Sequence, residues 1–277
     1  MSDKKPTGNI EQALQSAQGD AFLNPHYGTG IFRRRIRLSA IAGNGPQPDI
    51  FGELEDTQHG FRTRIEHNGE QVTAIHGDPV RYPTSTCPGA LEPLQELVGV
   101  RLGTSAEDIN KNGNPFANCT HLYDLSILAI VHARALSSGA LNEVLYDVTV
   151  TDETDDGSDA CVYRNGELVH RWLTRHFAVL EPQAQQGNTL FKGFSAWAKG
   201  AFEGDALEAA HVLQKGYFVA QSQRFDTSKL AGTPLDDAPS RRNVCHSYSD
   251  GIVETAVRLG TNTRNFDETP EQLLQFK

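Results

Sequence analysis

A cysteine, a histidine and an acid stand close together in Cys119-Thr120-His121-Leu122-Tyr123-Asp124. Residues 122–136, LYDLSILAIVHARAL, are apolar on nearly every face, and a helix of that kind is normally buried. Asn118 or Thr120 can cap it, because either side-chain oxygen can accept from a free first-turn N–H. The positive end of such a helix favours a thiolate at Cys119 or a bound anion, and it lowers the basicity of His121. His121 and Asp124 are three apart, which places them on adjacent turns of one face as a proton-handling or anchoring pair. The plainer reading makes Cys119 a small core residue beside a polar helix start.

A second set of chemical groups lies in residues 56–78. Asn68-Gly69 separates two alternating runs, the strongest short hairpin signal, because a type I′ turn needs positive φ at both central residues. A two-residue turn would pair Ile65 with Val72, Phe61 with His76 and His59 with Asp78. His59 is then the preferred base, oriented by Asp56 or Asp78. Ordinary cross-strand pairing at a solvated sheet end is the plainer alternative.

Three chemistries compete for these residues. Cys87, Cys119, His121 and His59 are all zinc-competent, although their spacing matches no standard finger or ribbon. Cys119 could be a nucleophile with His59 or His121 as base, but no G-x-S-x-G or protease signature accompanies it. General acid–base chemistry needs neither metal nor cofactor. His59, His121, Asp124, Asp56 and Tyr82 would move protons, and arginines would hold an anionic group. That chemistry suits a lyase, isomerase or hydratase acting on a small molecule.

Composition narrows the field. The net charge of −10 disfavours nucleic acid, whose phosphates need a basic surface. The first residues, MSDKKPTGNIEQ, lack the apolar run of a secretory signal, and no stretch is apolar enough to span a membrane. Four widely spaced cysteines then read as reduced thiols, and a cytoplasmic location is expected.

The surrounding elements must position the candidates. Residues 31–42, IFRRRIRLSAIA, alternate as a strand with Arg33, Arg35 and Arg37 on one face and Phe32, Ile36 and Leu38 on the other. Arg35 and Arg64, with Tyr82 and Asp78, form the expected substrate-binding set. Pro88 suits the first turn of a helix running from Cys87 to Leu97. Residues 99–118 read as loop and 143–150 as a strand. A second hairpin turns at Asn165-Gly166, helices follow over 194–202 and 205–215, a strand over 216–223, and a last helix near 252–259. Mixed strands and helices without a βαβ rhythm predict an α+β fold with mainly antiparallel sheet. Residues 1–29 read as a polar arm, which suits a homodimer. Residues 30–277 read as one body, with 30–140 and 141–277 as the alternative division.

Several of these elements, taken in order, resemble one family. They are the arginine-rich strand at 33–37, then Leu54, Asp56, His59 and Phe61 with Arg64, Cys87-Pro88, Leu97/Gly99/Leu102, and Cys119-Thr120-His121-Leu122. Over residues 31–137 the chain is similar to the bacterial proteins grouped as DUF2889. Many such proteins carry Glu where this chain has Asp124, and a Gly-Gly precedes their motif where this chain reads GTSAEDINKNGNPFAN. The resemblance implies a site at His59, Cys87, Cys119 and His121 and an enzyme of aromatic-compound catabolism, without naming the reaction. The resulting expectation is a cofactor-independent lyase cleaving C–C or C–O bonds in an aromatic molecule. A zinc-dependent hydrolase or structural zinc protein, and a non-catalytic small-ligand-binding protein, are the alternatives. Residues 245–249, CHSYS, are expected to supply the pocket's other wall.

Overall fold

The computed structural model describes residues 23–43, 45–236 and 242–276; the first 22 residues of the expected arm lie outside them. Eight strands form one sheet: β1 (Ile31–Ile41), β2 (Asp49–Asp56), β3 (Gly60–His67), β4 (Val72–Arg81), β5 (Glu143–Thr151), β6 (Ser158–Arg164), β7 (Glu167–Arg175) and β8 (Ala178–Glu181). Among the described residues four α-helices accompany them: α1 (Ala106–Asn112), α2 (Thr120–Ser137), α3 (Phe194–Ala201) and α4 (Gly204–Ala220). The strand order is β4-β3-β2-β1-β5-β6-β7-β8, and every pairing is antiparallel. The fold is α+β, as the sequence predicts.

The order divides at β1–β5 into two meanders, each followed by a long helix. α2 packs across β1–β3 and α4 across β5–β7, on the same face of the sheet. The helices run antiparallel, with Asp124 paired to Lys215 near one end and His132 Nε2 2.7 Å from Glu208 Oε1 near the other. A glycine in each meander allows close approach. A Cβ at Gly52 on β2 would meet Thr63 at 2.8 Å and Leu125 at 3.2 Å, and one at Gly216 on α4 would meet Val148 at 2.8 Å.

α2 is buried on most of its circumference, as its all-round apolar run predicts. Its cap differs from the expectation. Cys119 is the N-cap and makes no capping hydrogen bond, while the Asn118 amide donates to Glu96 Oε1 (2.8 Å) and to Asn114 O (3.1 Å). The Asn165-Gly166 turn has positive φ at both residues, 51° and 86°, and joins β6 to β7 directly. The Asn68-Gly69 turn is longer. Asn68 Oδ1 accepts from the N–H groups of Glu70 and Gln71, each at 3.0 Å, so residues 68–71 form the connection. The longer turn and a register break between Glu66 and His67 shift the pairing: Ile65 faces Ile75, Arg62 faces Asp78, and Phe61 faces Pro79. His59 does not face Asp78.

Other boundaries are corrected too. Pro93 has no N–H to continue a helix, and residues 87–97 form two short 3₁₀ helices rather than one helix. Within the expected loop, Ser105 accepts from Asp108 N at 3.1 Å and starts α1. The strand expected at 216–223 is the end of α4 and a 3₁₀ turn. Only Val253–Thr255 is helical near the expected last helix. No helix among the described residues is long and apolar enough to cross a membrane.

Candidate functional site

Alternation along β1 sends Phe32, Arg34, Ile36 and Leu38 toward the helices. Arg34 is therefore an arginine on an apolar face, 3% exposed, and it lies across from Asp56 in the β1–β2 register. Its Nε and Nη2 donate to Asp56 Oδ2 at 2.9 and 2.6 Å. Asp56 is fully buried, and its other oxygen accepts from the backbone N–H of Gln58 (2.7 Å) and of His59 (2.8 Å). The same Oδ1 lies 3.1 Å from His59 Nδ1. Burial alone would raise the Asp56 pKa, but His59, Arg34 and the hydrogen bond from His59 hold it far below the usual carboxylate range. Asp56 is thus a fixed anion. It directs Nδ1–H of His59 toward itself and leaves Nε2 as the basic nitrogen.

The first turn of α2 brings His121 onto this pair. Its ring stacks on His59 with centroids 3.8 Å apart and planes 26° from parallel. Phe61 continues the group, 5.9 Å from His59 and 6.2 Å from His121. Burial first, then its neighbours His59 and Arg34, push the His121 pKa well below its ordinary value. His121 is neutral at neutral pH, beside a histidine whose Nδ1 faces the Asp56 carboxylate. Of the two residues, His121 is the more exposed.

The remaining expected residues are placed elsewhere. Arg35 pairs with Asp147 at 2.7 Å, and Arg64 pairs with Glu66 at 3.0 Å; alternation puts both on the sheet face away from the helices. Asp78 is exposed on that outer face, 3.7 Å from Arg62. Tyr82 is half-buried against the core just beyond β4. The Asp124 carboxylate is taken by Lys215 of α4. Cys119 is buried, and burial together with neighbouring Cys87 pushes its thiol well above the ordinary range. First-turn N–H groups offset this only in part, so the helix start does not make Cys119 a ready thiolate.

Cys87 lies 3.0 Å from Thr84 Oγ1 and 3.6 Å from Ser247 Oγ. The four cysteines are free thiols, and among the described residues no three His, Cys, Asp or Glu side chains are arranged to hold a metal ion. Residues 245–249 do reach the start of α2: His246 N donates to Asn118 O at 2.9 Å, and its Nδ1 lies 3.2 Å from Ala117 O.

Arg34, Arg81 and Glu55 escaped the sequence reading. Arg81 lies under the β2–β3 turn, donating from Nη2 to Asp56 O (2.6 Å), His59 O (3.0 Å) and Glu55 Oε1 (3.1 Å). Arg34 had a signal, an arginine at a position where alternation demands an apolar side chain.

A shallow cleft lined by Asp159, Arg171, Leu173, Glu181 and Pro182 lies at the β7–β8 edge, in the other meander from His59.

Residues 56–134 match the family model described as "Protein of unknown function (DUF2889)", which bears out the resemblance drawn from Asp56, His59 and the Cys-Thr-His-Leu motif. No curated protein matches the chain.

Proposed function

We propose that this chain is a small-molecule enzyme working by proton transfer, with His59 as base and neutral His121 as its partner. The observation that carries the reading is the Arg34–Asp56–His59 chain of contacts ending at a stacked, neutral histidine. Burying Arg34 and Asp56 costs several kcal/mol per ion before their attraction offsets it, and a fold gains little net stability from such a pair. Its return is a histidine held in one tautomer. His59 Nε2 would remove a substrate proton, and ionised Asp56 would stabilise the imidazolium. That imidazolium would return the proton to the departing oxygen or carbon, and neutral His121 would donate a hydrogen bond to the substrate oxygen that gains charge.

That division of labour favours a cofactor-independent lyase. His121, the more exposed member of an aromatic stack backed by buried Phe61 and His59, would meet a planar substrate, consistent with an aromatic compound of bacterial catabolism. A small molecule is the partner this reading calls for; the cytoplasmic location and the homodimer are proposed from the sequence alone.

The test is incubation with a panel of substituted aromatic acids and alcohols, with products followed by mass spectrometry. His59→Ala and His121→Ala should each abolish product formation while circular dichroism stays native. Tight retention of an unchanged ligand would favour a binding protein. About one zinc per chain, lost on chelation together with turnover, would move the assignment to metal-assisted hydrolysis.

A further inference from the structure

The turn that carries Asp56 and His59 does not hold itself. Arg81 is almost buried, and besides its bonds to Glu55, Asp56 and His59 it donates from Nη1 to Thr57 O (3.1 Å) and Asn262 O (2.6 Å). One guanidinium thus gathers three carbonyls of the turn and one from a segment 181 residues away. That segment, residues 262–276, makes its own bonds to the same place. Asn262 Nδ2 donates to Gln58 O (3.0 Å) and Oε1 (2.8 Å), and Arg264 N donates to Thr57 O (2.8 Å).

Fully buried Glu55 closes the circuit. Its Oε1 accepts from Arg81, and its Oε2 accepts from Leu274 N (2.7 Å) and Phe276 N (3.3 Å). The Phe276 ring lies under Arg62, with the guanidinium 4.1 Å from its centroid. A carboxylate this deep costs free energy unless its donors are in place, so release of the segment leaves Glu55 short of partners and loosens Arg81.

We propose that Arg81 is a positioning residue for the Asp56–His59 pair and that residues 262–276 act through it, fixing the turn only when docked. The proposal rests on the proton-transfer reading for its functional meaning, but its test does not use turnover. Amide exchange and the His59 Nδ1–H resonance are followed by NMR in the full chain, in Arg81→Met and in Leu274→Pro. Proline removes the N–H that Glu55 accepts and cannot adopt the φ of 69° found at Leu274.

Both variants should exchange the Gln58 and His59 amides at least about tenfold faster and broaden the His59 Nδ1–H signal, while the middle of α2 keeps its protection. If Arg81→Met does not fold, Leu274→Pro decides alone. Unchanged exchange at Gln58 and His59 with the Arg264 and Leu274 amides released would overturn the proposal. So would loss of protection throughout α2 in Leu274→Pro, since the segment would then support the whole sheet. If exchange rises as expected while His59→Ala keeps full turnover, the positioning stands and the proton-transfer reading falls.

Discussion

The two meanders have the same plan and opposite contents. In each, the connection between second and third strands meets the start of the long helix. In the first meander that meeting is Asp56 and His59 against His121, backed by Arg34 from β1. In the second it is Arg164 against Asp205 of α4, 2.9 Å apart, with the Asp205 side chain 64% exposed. Nearby, His170 Nε2 donates to Ala206 O at 2.7 Å and packs among Trp172 and Phe202. The turn accounts for much of the difference. Asn165-Gly166 closes as tightly as a hairpin can and leaves its flanking arginine at the rim. Residues 57–59 give the chain room to fold a carboxylate back onto its own N–H groups. One architecture therefore yields a buried ionised dyad in one place and a solvated ion pair in the other.

The largest expected effect separates those two acids. Asp56→Asn leaves Arg34 buried without its counter-charge and should lower unfolding free energy by about 3–5 kcal/mol. Asp205→Asn, at the matching point of the second meander, should cost about 0–1 kcal/mol. Urea unfolding with an unchanged m-value measures both. Equal costs would mean that the first meander's ions are no more committed than a surface pair.

This contrast was only partly legible in the sequence. The buried α2, both Asn-Gly turns, and the Asp56, His59 and His121 set could be read from local pattern, because alternation and an all-round apolar run are local signals. Arg34 was hidden by its neighbours: in a run of three arginines, Arg33 and Arg35 drew attention, though alternation assigns Arg34 to the face of Phe32 and Ile36. Asp78 was misplaced because the turn at Asn68 is longer than two residues and a bulge between Glu66 and His67 shifts the pairing once more, turning Asp78 to the outer face. Arg81 and Glu55 had no local signature, since they are 26 residues from each other and their further partners lie 181 and 219 residues along the chain.

Acid sharpens the comparison further. The folded pKa of His121 is depressed well below its usual value, so below about pH 6.5 the unfolded chain takes up a proton that the native chain refuses. Stability contributed by this group is therefore complete above that pH and falls as pH drops, by up to about 1.4 kcal/mol per unit. His170 is also depressed by burial, to a lesser degree. Urea midpoints between pH 5 and 7 should fall less steeply in His121→Asn than in the parent, and His170→Asn should flatten them less. Asp56, with its folded pKa lowered, adds a separate loss that begins only as pH falls below about 4. If His170→Asn flattens the profile more, the protonation strain sits in the second meander and the assignment of His121 as the neutral partner is wrong.

The smallest effects lie where the meanders touch. Asp124–Lys215 and Glu208–His132 are the two bridges between α2 and α4, yet they are anchored differently. Glu208 also accepts from the hydroxyl of fully buried Tyr146 at 2.5 Å, and Arg164 Nε lies 3.2 Å from that hydroxyl. Burial and the Glu208 charge push the Tyr146 pKa well up, so the hydroxyl stays a donor and Glu208 stays its charged acceptor. Lys215 keeps 37% of its side chain exposed, and its bridge to Asp124 should be screened by water and salt. Glu208→Gln should then cost about 1–3 kcal/mol, because a buried hydroxyl and His132 both lose a charged acceptor. Asp124→Asn should cost no more than about 1 kcal/mol, and less in high salt. A cost at Asp124 that matches Glu208 and resists salt would mean that the start of α2 depends on Asp124 as well as on His121.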